Sequence, residues 1–158
     1  MEAPEQLPPP PPEPGRLGAW PSTDGAFWAL GGRLTWIAGL VLMLSSFMGW
    51  YVGSGFGLTI SVTGWHTGTL GKLVFFSGLA VLALVILREA GIELPATVPE
   101  SLVVIALGSL ATVFVLIRTI TIPERFLPAD GRAVGIYISL IAALAVIAAG
   151  LLQATEEL

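Results

Sequence analysis

A chain of 158 residues that is 54% hydrophobic and only 11% charged, with a mean hydropathy of +0.85, carries too little charge to cover a water-soluble fold of its size. Its net charge of −4 and pI near 4.8 provide no basic surface for nucleic acid. The absence of cysteine excludes disulfides, thiolate metal sites and cysteine nucleophiles.

Residues 1 to about 25 read as a disordered, Pro-rich tail. Five consecutive prolines at 8–12 lack backbone donors and favour extended polyproline II. The PxxP pattern within 7–12 would suit a partner with an aromatic-lined groove. Short Pro runs more often serve as solvated spacers, and the spacer is the preferred reading. The N-terminus has neither a positive n-region nor an apolar h-region, so it is not a cleavable signal peptide. The first span is then its own insertion signal. Residues 26–33 form an interfacial lead-in, and across 18–33 Trp20, Phe27 and Trp28 suit a headgroup region. Ser22, Thr23 or Asp24 would cap a short helix from about Gly25.

The chain is organised around residues 34–71, thirty-eight residues without one Asp, Glu, Lys or Arg. Their first part, 34–52, is apolar and long enough to cross a hydrocarbon core of about 30 Å as a helix. Trp36 at one end, and Trp50 with Tyr51 at the other, read as aromatic belts. Ser45 and Gly49 are spaced for close approach of a neighbouring helix. Residues 53–69 form an external loop. In it Leu58, Ile60 and Val62 alternate with Thr59, Ser61 and Thr63, predicting a strand with one apolar face. Gly53, Gly55 and Gly57 before it, with Gly64 and Gly68 after it, supply turns, so a small hairpin on the helix ends is expected.

The second span is about 70–87, with Lys72 in its first turn and Arg88 and Glu89 closing it. Pro95 and Pro99 break the next loop. The third span, about 101–117, has Ser101 as a candidate cap, Gly108 and Thr112 as a small-residue pair, and Arg118 at its far end. The following loop carries Pro123 and Pro128. The fourth span, about 133–152, places Gly135, Ser139 and Ala143 on one face, and likewise Ala145 and Ala149. Residues 153–158 read as an acidic tail.

Four apolar segments with short links predict an all-α membrane protein, an up-down bundle of four transmembrane helices with a small β-hairpin or strand in its first loop. Both termini then lie on one side. Arg16, Arg33 and Arg88 mark that side, and Lys72, Arg118, Arg125 and Arg132 the other. The raw count leans toward external termini. Cytoplasmic termini are nevertheless preferred. Arg33 directly precedes the first span, no base follows it until Lys72, and the uncharged loop suits translocation.

His66 is the only histidine, and the loop holds no Cys, Asp or Glu, so a metal site lacks ligands. His66 and Trp65 are read as external-loop contacts, with pH sensing the lesser reading. No ionisable residue falls within the four apolar cores, which argues against a proton-coupled transporter or an embedded hydrolase. Hydroxyls within the spans mostly bond backbone or bridge helices. No Gly-rich phosphate loop, HExxH or GxSxG pattern occurs. Arg118, Arg125 and Arg132, with Glu124 and Asp130, form the densest charge cluster. Its arginines are candidate contacts for anionic lipid headgroups, against the commoner role of a solvated, locally paired loop.

The aromatic exit FMGWY, a loop ending in TGW, Arg88 closing the second span, and Arg118 then Pro123 after the third carry a resemblance over roughly residues 30–152. The chain resembles a family of small actinobacterial four-span hypothetical membrane proteins. The resemblance implies a multi-pass protein of the cytoplasmic membrane with cytoplasmic termini and no assigned activity. The layout is also similar to claudin-like proteins, as shared topology only, because their loop cysteine pair is missing here.

The expectation is therefore a non-enzymatic integral membrane protein, structural or accessory, without cofactor, metal or catalytic residues. Its partners would be the lipid bilayer and a membrane protein, either itself or another. The alternative is a transporter or channel component for small solutes, formed by oligomerisation. The two separate on whether the small-residue faces are used within the monomer or point outward.

Overall fold

The computed structural model describes residues 23–55, 57–92, 95, 98–121 and 129–157. The Pro-rich tail, Trp20, Pro123, Glu124, Arg125 and Pro128 lie outside them. Four helices are present: α1 (Thr23–Ser45), α2 (Thr69–Glu89), α3 (Glu100–Ile120) and α4 (Val134–Glu157). Three of them, α2, α3 and α4, are long and apolar enough to cross a membrane, with mean hydropathies of 2.3 to 2.4. The apolar part of α1 is shorter, Leu30–Ser45. A three-stranded antiparallel sheet of order β2-β1-β3 completes the fold, built from β1 (Gly49–Gly55), β2 (Leu58–Thr63) and β3 (Ala129–Arg132). One 3-10 turn, Gly64–Thr67, leads from β2 into α2.

The helices pack as a ring in the order α1, α2, α3, α4, and α4 closes on α1. Glycines set the spacing. A Cβ built on Gly78 would lie 2.7 Å from the Met43 backbone nitrogen, and one on Gly39 would lie 2.9 Å from Val81. On the opposite side, Cβ atoms on Gly108 and Gly150 would come within 2.9 Å of Ile147 and 2.7 Å of Ile105. Backbones thus meet almost directly, and dispersion contacts are maximised where side chains are smallest. Gly39 meets Val81 while Met43 meets Gly78, and Gly108 meets Ile147 while Ile105 meets Gly150, so α1 with α2 and α3 with α4 run antiparallel. Inside the ring Leu42, Val74, Val81, Val104, Val115, Ile136 and Val146 are fully buried.

The expected first span needs correction. Helix α1 begins before residue 34 and stops at Ser45, and residues 49–55 are strand. Trp50 and Tyr51 are therefore no interfacial belt; both are buried, at 0% and 4% exposure. Trp36 remains exposed on α1. The helix ends where its last carbonyls find other donors. The final turn tightens to i→i−3 bonds from Ser46, Phe47 and Met48. The Ser45, Ser46 and Met48 oxygens then accept from Trp50 Nε1, the Trp65 N–H and the Gly64 N–H, at 3.0, 2.7 and 3.1 Å.

Two smaller expectations also change. Ser101 is inside α3, whose N-cap is Pro99. The supposed acidic tail is the last part of α4, and Gln153 within it is buried. Gln153 Nε2 donates to Thr35 Oγ1 at 2.9 Å, and that hydroxyl donates to the Gly31 carbonyl at 2.8 Å. Gln153 Oε1 has no partner among the described residues. Thr35→Val should therefore lower stability by about 1–2 kcal/mol, because it strands the Gln153 amide. Thr35→Val combined with Gln153→Leu should recover most of that loss, since both buried polar groups are then gone. The temperature at which the size-exclusion peak in detergent halves measures both.

Candidate functional site: a hydrogen-bonded cap over the bundle

Only three residues, 46–48, separate α1 from β1, so the sheet is held close over the end of the ring. A register shift between Gly49 and Tyr51 breaks the strand's alternation at Trp50. Bulges re-aim side chains in this way, and here two consecutive aromatics are buried. The Trp50 ring lies against Gly64, where a built Cβ would come within 2.5 Å of it. On the other side Ala133 N–H donates to the Trp50 carbonyl at 2.8 Å, joining β1 to the start of α4.

Tyr51 bridges to α3: its hydroxyl donates to the Arg118 carbonyl. The Arg118 guanidinium in turn donates through Nη2 to the Thr67 carbonyl, while its buried Nε has no partner among the described residues. Thr67 Oγ1 closes the 3-10 turn on the Gly64 carbonyl at 2.6 Å. Arg132 Nε donates to the Thr119 carbonyl at 2.6 Å. Arg118 is thus half-buried and bonded to backbone, Arg132 is exposed, and Arg125 lies outside the described residues.

Burial raises the Tyr51 phenol above its ordinary value of 10.0, and the charges of Arg118 and Arg132 oppose that rise. The neutral phenol is therefore the form that the fold favours. The linked stability is present below the unfolded value and is lost as pH rises through the folded one. Detergent stability should fall above about pH 10 in the parent chain. Tyr51→Phe should flatten that fall and remove a late-ionising component from the ultraviolet titration of the two tyrosines.

The predicted external-loop contacts separate. Trp65 joins an aromatic cluster, stacked on Phe47 at 5.5 Å and edge-on to Phe75 at 5.2 Å. Lys72 Nζ lies 5.6 Å from its ring centroid. His66 is exposed, and its Nδ1 lies 2.8 Å from Thr63 Oγ1. Among the described residues no third group orients that ring, and no three His, Asp or Glu side chains are placed to hold a metal.

The small-residue faces are used between elements. Gly135 meets the Gly49 carbonyl, where a Cβ would stand 2.4 Å away. Gly49 therefore serves a strand against α4, not a helix pair. The Ser139 hydroxyl lies 2.8 Å from that of Ser45 and 2.9 Å from the Gly135 carbonyl. Ala143 is fully buried below them. Gly108 seats α3 on α4, and Thr112 Oγ1 donates to the Gly108 carbonyl at 2.8 Å.

No family model, curated protein or solved structure matches this chain.

Sequence reading missed several parts of the cap. β3 is four residues with no apolar alternation, and it exists because β1 offers a free edge. Gly71 carried no signal, yet a Cβ there would lie 1.9 Å from the Gly64 carbonyl. β2 is a strand as predicted, but its apolar face is uncovered: Leu58 and Ile60 are 68% and 47% exposed.

Proposed function

We propose that this chain is a four-span integral membrane protein that acts as a structural or accessory component through contacts with protein or lipid. The outer perimeter of the bundle carries the argument. Ile37, Phe76, Ile86, Leu102, Val113 and Ile141 are each at least half exposed, on all four helices. Such a continuous apolar surface is unfavourable in water and at home in hydrocarbon. On α2, α3 and α4 the charged residues keep to the helix ends, at Lys72, Arg88, Glu89, Glu100, Arg118 and Glu156, and on α1 Arg33 precedes the uninterrupted apolar stretch 34–45. In this reading the apolar part of α1, Leu30–Ser45, is the fourth span, and Arg33 in its first turn reaches back to the interface. The sheet caps the external side, and the termini are cytoplasmic, with Arg33 holding α1 at that face.

The small residues Gly108, Gly135, Ser139 and Ala143 are consumed within the monomer, which favours an accessory bundle over an oligomeric pore. The core between the helices is filled by Val, Leu, Ile and Ala. The full chain should stay in the membrane pellet after carbonate washing and leave it only with detergent; release by carbonate would refute the reading. Since the chain has no cysteine, single cysteines at Ser61 and Ser22 report sidedness cleanly. In intact cells an impermeant thiol reagent should label Ser61→Cys and spare Ser22→Cys; the reverse pattern would invert the orientation.

A further inference from the structure

At the end of the bundle opposite the sheet, Gly32, Arg33, Trp36 and Ile37 of α1 and Glu89 of α2 line an open groove of about 500 Å³. Arg33 and Glu89 are both exposed, and neither has an ionic partner among the described residues. They share the groove without pairing with each other. A cation and an anion held apart across one cleft complement a dipolar group between them, not a single charge.

A second groove begins one residue deeper along α1. It lies between α1 and α4, has a volume of about 230 Å³ and is lined wholly by apolar atoms. Ile37 borders both grooves. Ala38 and Ala142 form its floor, each 3% exposed, with Ile37, Val41 and Ile141 as walls. From Arg33 to Val41 the helix rises about 12 Å, so the apolar cleft descends from the charged one. Trp36, 45% exposed beside Arg33, marks the level at which indole rings prefer a headgroup zone.

We propose that these two grooves are one site for a zwitterionic phospholipid with a primary ammonium. Arg33 takes the phosphate, Glu89 takes the ammonium, and one acyl chain crosses Ile37 into the cleft between α1 and α4. A guanidinium donates to phosphate oxygens in a forked geometry. A carboxylate accepts N–H bonds from a primary ammonium, which a trimethylated one cannot supply. The site rests on the membrane reading above, and it differs from the Arg118, Arg125 and Arg132 cluster at the sheet end.

The test uses the full chain in detergent, with native mass spectrometry after adding phosphatidylethanolamine, phosphatidylcholine or phosphatidylglycerol in turn. One phosphatidylethanolamine should be retained in preference to the other two. Arg33→Gln should reduce that retention about tenfold, as for one lost charge-assisted hydrogen bond. Glu89→Gln should reverse the preference toward phosphatidylglycerol, because only the cation then remains. Ala145→Phe, which fills the apolar cleft, should weaken all three. Equal retention of the three lipids, a preference for phosphatidylglycerol in the parent, or indifference to Arg33→Gln and Glu89→Gln would overturn the proposal. So would a second copy of the chain held in place of lipid. A chain that leaves the membrane with carbonate fails the earlier reading instead, so the two failures are distinguishable.

Discussion

Trp50→Ala is expected to destabilise the chain by about 3–5 kcal/mol, the range for emptying a buried large aromatic site. Trp50 is fully buried, so the whole ring volume becomes cavity. Its neighbours are positioned by backbone and cannot collapse into the space: Gly64 leads into the 3-10 turn, and the Ser45 carbonyl ends α1. Trp50→Ala also leaves that carbonyl without its indole donor, adding a lost hydrogen bond to the lost contacts. Trp50→Phe separates the two effects. It keeps most of the apolar volume and removes only Nε1, and should cost about 1–3 kcal/mol. The half-loss temperature of the monodisperse peak in detergent ranks the parent, Trp50→Phe and Trp50→Ala in that order. Equal temperatures for Trp50→Ala and the parent would mean that the indole holds nothing in place.

Gly71→Ala should be nearly as severe, although it adds a single methyl group. The added carbon would stand 1.9 Å from the Gly64 oxygen, 2.7 Å from the Gly64 carbonyl carbon and 2.8 Å from Thr67 Oγ1. Two of those three atoms are backbone, so no rotamer change relieves the clash. The start of α2 must move away from the 3-10 turn. Overpacking typically costs about 1–3 kcal/mol and sometimes more, and a backbone clash belongs at the top of that range. The displaced turn also carries the Thr67 carbonyl that Arg118 holds, so the link to α3 weakens with it. Gly32→Ala is the control. Nothing lies within 4 Å of its added carbon, and an alanine within a helix is favoured over glycine by up to about 1 kcal/mol. Gly71→Ala should melt well below the parent, and Gly32→Ala at or above it. A Gly71→Ala chain that melts with the parent would show that the cap does not rest on α2.

Both predictions concern residues whose roles were hidden in the linear pattern. Trp50 reads as the aromatic end of an apolar run, and such a run does not distinguish a helix from a buried strand. The residues that decide are distant in the chain. Gly64 and Trp65 supply the N–H groups that take the Met48 and Ser46 carbonyls, and only when those carbonyls are taken does the helix have reason to stop. Gly71 reads as one glycine in an apolar helix, where it would only weaken helix propensity. Its necessity comes from a turn that folds back onto it. Arg118 reads as an end-of-span charge free to meet headgroups, but a carbonyl presented by Thr67 takes its guanidinium. Gln153 reads as tail because acidic residues follow it, and the Thr35 hydroxyl on a different helix draws it into the bundle.

Composition and spacing by themselves determined the apolar helical class, the existence and order of the four helices and the strand 58–63. These depend on local periodicity and residue size, which a linear pattern records directly. Tertiary structure alone decided where α1 ends, why Trp50 and Tyr51 turn inward, that residues 129–132 complete a sheet, and which charges remain unpaired. Each of those outcomes depends on which donor reaches which carbonyl across dozens of intervening residues. Hydropathy counts apolar surface but does not say which backbone groups meet.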